Sequence, residues 1–285
     1  NTVWATTETE VDAEAASSDD SPEITVEGAE SAPRKRRRRR RKRRQDPRGI
    51  DPLRRRADCI SRKKRTSPMN ITAVIPIRAQ SKGLPGKNTR DLAGKPLYMH
   101  AVACAQAAGI TDIVVASDDN RILQTPSAAY RTFARSAHSA RDDAPTHEVL
   151  IEVIAAEGLE DHLIVLLQAT SPLRLPQTVQ AVIAAMDDGQ AELGCSVAQI
   201  DSSLLKSGTI KDGYLQPTVD AATLFRPRQS LPDVFKMDGG VYAFRGGWLV
   251  RNGSLETDKI KVVASDPSEL LDIDTLADFE RAQDI

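Results

Sequence analysis

The sequence from Ile71 onward predicts an α/β fold in which helices cover a parallel or mostly parallel sheet. Short apolar runs alternate there with amphipathic stretches, which is typical of repeated strand–helix units. The charged residues divide the chain at the same place. Residues 1–30 hold nine acids and no bases, residues 31–70 nineteen bases and three acids, and residues 71–285 twenty bases and twenty-eight acids. These blocks carry -9, +16 and -8, which together give the net charge of -1.

Residues 1–68 are predicted to be a disordered tail, acidic at first and then rich in arginine, that precedes a folded domain over 69–285. Segments of like charge with few large apolar residues cannot bury enough surface to offset chain entropy. The basic run from Arg34 to Arg44 would bind nucleic acid in a salt-dependent way or serve as a nuclear address. We favour a solvated tail, or a translated upstream region outside the native protein.

The chain contains no secretory signal and no window of about 18 apolar residues. We therefore expect a soluble protein without a membrane segment. Its expected location is the cytoplasm, or the nucleus if the chain is eukaryotic. The three cysteines, Cys59, Cys104 and Cys195, are far apart and lack metal-ligand spacing, which suits a reducing compartment.

The first half of the domain is predicted to contain three strand–helix units. Pro96 opens a helix and Gly109 follows its end, whereas Pro126 interrupts another helix, and Thr146 is expected to cap a third. The elements in order are a strand over Ile71–Ile77, a helix over Pro96–Ala108, a strand over Ile113–Ala116, a weak helix over Asn120–Ala129, a helix over Thr146–Glu157, a strand over Leu163–Gln168 and a helix over Gln177–Asp187.

The second half is predicted to be richer in strands. The region from about 202 to 238 has the short strands and turn residues of an inserted arm. A final helix is expected to begin at Asp274 or Thr275, with Leu276, Phe279 and Ala282 on one face. The predicted strands are Leu193–Gln199, Lys206–Ile210, Tyr214–Pro217, Gly240–Phe244 and Lys261–Ala264.

The first strand leads into a loop, RAQSKGLPGKN over residues 78–88, that combines cations with glycines. In an open α/β sheet such a loop lies at the carboxyl end of a strand, where backbone amides and charged groups converge on an anion. A triphosphate would satisfy these groups, and a solvated surface loop is the alternative. The spacing is neither that of a Walker loop nor that of a dinucleotide fingerprint.

Several ordered blocks resemble those of the acylneuraminate cytidylyltransferases. After RAQSKGLPGKN they are LAGKPL (92–97), ASDD (116–119), LLQATSPLR (166–174), RPRQSLPDVFKMDGGVYAF (226–244) and DIDT (272–275). The resemblance implies a three-layer α/β/α Rossmann-like nucleotidyltransferase fold with a small strand-rich dimerisation arm. It also implies transfer of CMP from CTP to the anomeric hydroxyl of a nine-carbon acidic keto-sugar, giving a CMP-sugar and pyrophosphate.

Asp272 and Asp274 are the predicted ligands of Mg²⁺ or another divalent cation. In an extended segment residues two apart point to the same side, and Mg²⁺ takes one or two carboxylates plus substrate phosphates. Taken alone, the pair has another interpretation, because Asp274 could cap the following helix. The resemblance favours the metal, since the pair matches the family's metal-binding aspartates.

The remaining site residues follow from the resemblance and from the charge that a triphosphate and a sugar acid carry. The predicted catalytic residues are Arg78, Lys87 and Asp274, the last as candidate base, and the predicted CTP-binding residues are Arg78, Ser81, Lys82, Lys87, Asn88, Arg135, Ala144 and Thr146. The predicted sugar-binding residues are Gln168, Arg174, Lys206, Arg228 and Gln229.

The resemblance further implies a homodimer, in which the arm with Lys206 and Arg228 completes the partner's site. The sequence departs from the family pattern at two places: residues 135–147, and Asp238, where the family usually has Asn. Two alternatives stay open, a cytidylyltransferase for an eight-carbon keto-sugar acid and a nucleic-acid-binding protein with a degenerate transferase domain.

Overall fold

A mixed seven-stranded sheet forms the centre of the protein in a computed structural model that describes residues 69–79, 83–141 and 143–284. These residues belong to one unit, Arg65–Ile285. The predicted disordered tail over 1–68 and the loop residues Ser81 and Lys82 lie outside the described residues. The strands are β1 Ile71–Ile77, β2 Asp91–Leu92, β3 Lys95–Pro96, β4 Asp112–Ser117, β5 Arg131–Ala134, β6 Leu163–Leu167, β7 Leu193–Ile200, β8 Gly208–Lys211, β9 Tyr214–Pro217, β10 Val234–Arg245 and β11 Ile260–Ala264.

The strand order in the central sheet is β11-β7-β10-β6-β1-β4-β5. Strands β6, β1, β4 and β5 pair in parallel, as do β7 and β11, whereas β10 is antiparallel to both of its neighbours. The parallel strands share one carboxyl edge, so the segments that follow them meet on one rim of the sheet. The helices are α1 Leu97–Ala107, α2 Asn120–Leu123, α3 Thr146–Glu157, α4 Pro176–Ala185, α5 Ala221–Phe225, α6 Gly246–Asn252 and α7 Leu276–Gln283.

Two apolar cores lie on opposite faces of the sheet. Alternate residues of β1 separate between them, since Ala73 and Ile75 belong to one core and Val74 to the other. Helices α1 and α4 cover the first face, and α3 and α6 cover the second. The predicted three-layer α/β/α architecture is therefore confirmed.

Several predicted boundaries differ from the observed ones. Helix α2 ends at Leu123 instead of Ala129, and β5 follows it, which the sequence analysis did not find because β5 has no fully buried residue. Strand β10 begins at Val234, well before the predicted Gly240. Helix α6 was not predicted because it begins with Gly246 and Gly247. A Cβ on Gly246 would lie 2.3 Å from Leu159 O, so this helix start requires glycine.

The predicted cap of α3, the alternative cap of α7 and one predicted buried residue of α7 differ from the structure. Thr146 does not cap α3; it is the first helical residue, and Pro145 holds the cap position without a side-chain hydrogen bond. Thr275, not Asp274, caps α7 through a reciprocal capping box with Asp278. Leu276 is exposed because it is the first residue of α7, although Phe279 and Ala282 are buried as predicted.

The predicted arm contains the β8–β9 hairpin and α5. Asp212 and Gly213, at φ 52° and 82°, form the hairpin turn, which needs positive φ at both positions. Large apolar side chains of this arm are exposed, including Ile210 (79%) and Phe225 (85%). Within the described residues, no helix is both long and apolar enough to cross a bilayer.

Candidate functional site

The segment after β1 brings three of the predicted nucleotide-binding residues together. Arg78 follows the strand directly, and its Nη2 donates a hydrogen bond to the carbonyl oxygen of Ala144. Asn88 Nδ2 donates to Arg78 O at 3.2 Å. Asn88 is buried, and its Oδ1 has no hydrogen-bond partner among the described residues. The rim after β1 therefore holds the Arg78 guanidinium on Ala144 O, and Asn88, bonded to the Arg78 main chain, keeps a buried side-chain oxygen that can still accept a hydrogen bond.

Lys87 joins this loop to the aspartate segment near the end of the chain. It lies in the single 3₁₀ turn Lys87–Thr89 and is only 8% exposed. Its Nζ donates to Ile273 O at 2.7 Å and to Asp274 Oδ1 at 2.9 Å. The predicted cation and the predicted carboxylate, 187 residues apart in sequence, are thus in direct contact.

Gly83 makes a second contact between the same two segments. A Cβ at this position would lie 2.3 Å from Asp274 O, closer than real contacts allow. From the sequence, Gly83 was only one of the glycines of this loop. The structure shows instead that its missing side chain lets the loop backbone pack directly against the aspartate segment.

The two aspartates are held outward by the residue between them. Ile273 is fully buried, and its N–H donates to Thr170 O at 2.9 Å. Asp272 and Asp274 are both exposed, and the Asp274 side chain retains 71% of its accessible surface. Because Asp272 lines a cavity and Asp274 contacts Lys87, the segment lies between that cavity and the loop after β1.

Arg135 holds the main chain next to this rim through hydrogen bonds to two backbone carbonyls. It is buried, and it donates to the backbone carbonyls of Ile77 (3.3 Å) and Ser139. Burial lowers the pKa of its guanidinium, and the nearby charge of Arg78 acts in the same direction. In this structure Arg135 therefore ties the segment after β5 to the end of β1. Thr146 lies half-buried at the start of α3, close in sequence to the carbonyl of Ala144 that Arg78 contacts.

A cavity of about 350 Å³ lies beside the aspartates, between the ends of β7 and β10 and the segment after β11. Arg174 is 5% exposed there, and its Nε and Nη2 donate to Gly240 O and Gln168 O, each at 2.6 Å. Its Nη1 and the hydroxyl of Ser171 are buried, and neither has a partner among the described residues. The cavity lining includes Ser171, Arg174, Ser196, Gln199, Lys236, Asp238, Glu269 and Asp272.

Charge near Arg174 is balanced by acids of the same cavity. Burial lowers the pKa of the Arg174 guanidinium, whereas Cys104, Asp238 and Glu269 act in the opposite direction. The Glu269 carboxylate is already bonded to Leu175 N (2.8 Å) and to the Thr178 hydroxyl (2.7 Å). The cavity wall thus includes a buried cation whose Nη1 has no partner among the described residues, which suits a polar or anionic ligand.

The predicted sugar-binding residues divide into two groups. Arg174 lines the cavity, and the main chain of Gln168 holds it in place. Lys206, Arg228 and Gln229 belong to the arm and do not line this cavity; Arg228 pairs instead with Asp201 at 2.9 Å.

Some cavity residues were missed by the sequence analysis. Ser171 and Lys236 lie inside the quoted blocks LLQATSPLR and RPRQSLPDVFKMDGGVYAF, so position within those blocks was the available signal. Gln199, at the end of β7, lies outside every quoted block, so the sequence held no signal for it.

A basic glycine-containing loop at the carboxyl rim of an α/β/α sheet, next to paired carboxylates, defines a nucleotidyltransferase-like protein. Comparison with solved structures agrees on the fold. A CMP:2-keto-3-deoxy-manno-octonic acid synthetase complexed with CTP superposes with a TM-score of 0.56 at 22% identity, over 75% of this chain and 97% of that one. A 4-diphosphocytidyl-2C-methyl-D-erythritol synthase from Anaerococcus prevotii superposes with a TM-score of 0.52 at 16% identity, over 76% of this chain and 97% of that one.

Sequence comparison identifies the family. The family model described as Cytidylyltransferase matches residues 72–259, and the chain belongs to this family. A CMP-N,N'-diacetyllegionaminic acid synthase from Legionella pneumophila is 29% identical over 221 residues, 74% of this chain and 94% of that protein. A 3-deoxy-manno-octulosonate cytidylyltransferase from Vibrio vulnificus is 30% identical over 207 residues, which are 64% of this chain and 76% of that protein. The resemblance to acylneuraminate cytidylyltransferases is thereby confirmed at family level.

Proposed function

We propose that this protein transfers CMP from CTP to the anomeric hydroxyl of an acidic keto-sugar and releases pyrophosphate. One observation carries the proposal: the Lys87 ammonium bonds Asp274 at the same rim where Asp272 borders a polar cavity. The proposed nucleotide and acceptor sites are therefore adjacent, as direct transfer between two bound substrates needs. The named Legionella and Vibrio relatives act on acidic keto-sugars, which supports this acceptor class.

The nucleotide triphosphate is proposed to bind along the loop after β1. Arg78 and Lys87 supply positive charge there, and Ser81 and Lys82 of the same loop are assigned to it from the sequence. Charge accumulates on the pyrophosphate as it leaves, and fixed cations stabilise that charge. Asn88, Arg135, Ala144 and Thr146 are assigned to the ribose and cytosine, and the unpartnered Asn88 Oδ1 supports a polar contact in that region.

Asp272 and Asp274 are proposed to hold Mg²⁺ or another divalent cation. The donor set fits: two exposed carboxylates two residues apart match the one or two that Mg²⁺ takes beside phosphates. Among the described residues no cluster of three or more His, Cys, Asp or Glu forms a complete cage, so phosphates and water would fill the remaining positions. The bound ion would supply charge neutralisation on the triphosphate.

Asp274 is also the proposed base for the attacking hydroxyl. Lys87 fixes one of its carboxylate oxygens, at 2.9 Å, and leaves the other directed away from that bond. A positioned carboxylate that accepts the hydroxyl proton raises the nucleophilicity of the sugar oxygen. The attack is direct, and the chain forms no covalent intermediate.

The acceptor is proposed to be a nine-carbon sugar acid bound in the 350 Å³ cavity, with an eight-carbon acid as the alternative. Arg174 Nη1 and the Ser171 hydroxyl are buried donors open to a ligand, and Lys236 adds a cation to the wall. The block RPRQSLP favours nine carbons, and the Legionella and Vibrio relatives, at 29% and 30% identity, represent the two alternatives.

A homodimer is proposed through the arm, whose apolar side chains Ile210, Tyr214 and Phe225 are exposed in the single chain. Burial of such side chains against a second copy would stabilise the pair. Lys206, Arg228 and Gln229 of the arm are then available to the partner's cavity. Sedimentation of the protein and of a Phe225→Asp variant tests this, and a monomeric wild-type protein would contradict it.

Pyrophosphate release tests the proposed function. The full chain is incubated with CTP, Mg²⁺ and, separately, N-acetylneuraminate, N,N'-diacetyllegionaminate and 3-deoxy-manno-octulosonate, with UTP in place of CTP as the nucleotide control. Release with one nine-carbon acid and CTP is expected. If none of the three keto-sugar acids gives pyrophosphate release, the proposed function is refuted. A preference for the octulosonate would establish the eight-carbon alternative.

A further inference from the structure

The antiparallel strand β10 loses its regular pairing with β7 beside the cavity. Met237 pairs with Val197, and the next pair is Tyr242 with Cys195, so residues 238–241 of β10 lie opposite Ser196 alone. Gly239 within this bulge has a φ of 79°. A bulge removes ladder hydrogen bonds, so its backbone groups need other partners if its shape is to be fixed.

The carboxylate of Asp238 provides those partners. Its Oδ1 accepts from the Ser196 hydroxyl at 2.5 Å and from Gly240 N at 2.8 Å, and its Oδ2 accepts from the Ser265 hydroxyl. The Ser196 oxygen in turn accepts from Val241 N at 2.9 Å. One carboxylate therefore joins β7, the bulge of β10 and the segment after β11, and we call this set of bonds the Asp238 clamp.

The clamp determines where the bulge presents the carbonyl of Gly240. That carbonyl accepts from Arg174 Nε at 2.6 Å, and Gln168 O accepts from Nη2 at the same distance. Two of the three guanidinium nitrogens are thus held by backbone. The third, Nη1, is buried without a partner among the described residues, in a residue that lines the cavity. The space is tight, because a Cβ on Gly240 would lie 3.0 Å from the Ser196 hydroxyl oxygen.

We propose that Asp238 is a positioning residue for acceptor specificity, acting through Gly240 to hold the Arg174 guanidinium so that Nη1 can bind the sugar acid. The inference rests on the proposed function, since the ligand of the cavity is taken to be the acceptor. A planar guanidinium binds a carboxylate or a sugar oxygen only when its N–H groups point correctly, so a small shift of the bulge changes acceptor affinity. Residues 78–79 and 83–88, the described part of the triphosphate loop, make no hydrogen bond to the clamp, so the CTP KM is expected to be independent of it.

The clamp depends on hydrogen bonds that an amide can also make. In an Asp238→Asn variant the side-chain carbonyl can accept from Gly240 N and Ser196, and the amide can donate to the Ser265 oxygen after that hydroxyl rotates. In Asp238→Ala all three bonds are lost. The pair of variants therefore separates the positioning role from the negative charge.

Steady-state kinetics of the full-length protein tests the inference, with the acceptor that gives the highest wild-type kcat/KM. Asp238→Ala is expected to raise the acceptor KM about tenfold, as for lost bonds to a charged group, while the CTP KM stays within about twofold. Asp238→Asn is expected to stay within about threefold of wild type for both substrates, and Ser265→Ala to raise only the acceptor KM, about threefold. Asp258→Ala, an exposed acid with no bond among the described residues, is the matched control.

Three results would overturn the inference: an acceptor KM unchanged in Asp238→Ala, an Asp238→Asn variant as impaired as Asp238→Ala, or equal rises in both KM values together with a lower melting temperature. If Asp238→Ala fails to fold, the acceptor KM values of Ser265→Ala and Asp238→Asn test the inference in its place. An unchanged acceptor KM in Ser265→Ala, or an impaired Asp238→Asn, then refutes positioning. Inactivity of the wild type with every keto-sugar acid would instead remove the proposed function, and this inference with it.

Discussion

Replacement of Lys87 by methionine tests the connection between the loop after β1 and the aspartate segment. Methionine keeps an unbranched apolar stem, one atom shorter than lysine, but cannot donate to Ile273 O or Asp274 Oδ1, which lie 2.7 and 2.9 Å from the ammonium. The change leaves the Ile273 carbonyl without this donor in a buried setting, since Lys87 is 8% exposed and Ile273 fully buried.

The two bonds contribute unequally to stability. A hydrogen bond to a charged group contributes about 1.5–3 kcal/mol, and the buried bond to Ile273 O falls in that range. The bond to Asp274 contributes less than about 1 kcal/mol, because that carboxylate is 71% exposed and solvent screens it. Lys87→Met is therefore expected to lose about 2–3 kcal/mol of unfolding free energy, a melting temperature lower by about 4–12 °C for a domain of this size.

Urea unfolding measures the stability, and pyrophosphate release measures turnover, expected to fall at least about a hundredfold because a cation is lost from the triphosphate site. Lys259→Met is the matched control, since its pair with Glu192 is on the surface, and an unchanged urea midpoint is expected there. A Lys87→Met variant with the midpoint and turnover of the control would refute the assignment of Lys87 to both roles.

Further predictions concern the same rim. Asp272→Asn should raise the Mg²⁺ concentration for half-maximal activity and lower turnover at least about a hundredfold, and full turnover would refute the metal assignment. Gly83→Ala should lower kcat/KM for CTP, because its Cβ would meet Asp274 O at 2.3 Å; unchanged kinetics would show that the loop shifts freely. Hydrogen bonds from Thr275 and neighbouring backbone lower the pKa of Asp278 from 3.8 to about 2. The resulting stabilisation is present above about pH 4 and lost as pH falls through about 2, so Asp278→Asn should unfold more easily at pH 7 but not at pH 2. Urea midpoints at the two pH values measure this, and a pH-independent difference would contradict it.

Much of the fold was predictable because it depends on local patterns. Strands β1, β4 and β6 are nearly continuous apolar runs, and such runs are buried on both faces of a sheet. The turn at Asp212 and Gly213 has a local signature too, since both residues tolerate positive φ. Strand β5 and the length of β10 were not predictable in this way. The residues of β5 and the first part of β10, residues 234–240, are exposed or only partly buried. Pairing with neighbouring strands, not an apolar pattern, makes them strands.

The amino-acid sequence by itself determined the family, the loop after β1 and the aspartate pair, since each is a set of neighbouring residues whose types carry their chemistry. The tertiary structure alone decided which distant groups meet. Lys87 bonds Ile273 and Asp274, Gly83 packs against the same segment, and Asp238 is linked to Arg174 through Gly240. The physical reason is that hydrogen bonds and close packing act over a few ångströms in space. Residues separated by tens to hundreds of positions come within that range only when the sheet and its connections are formed.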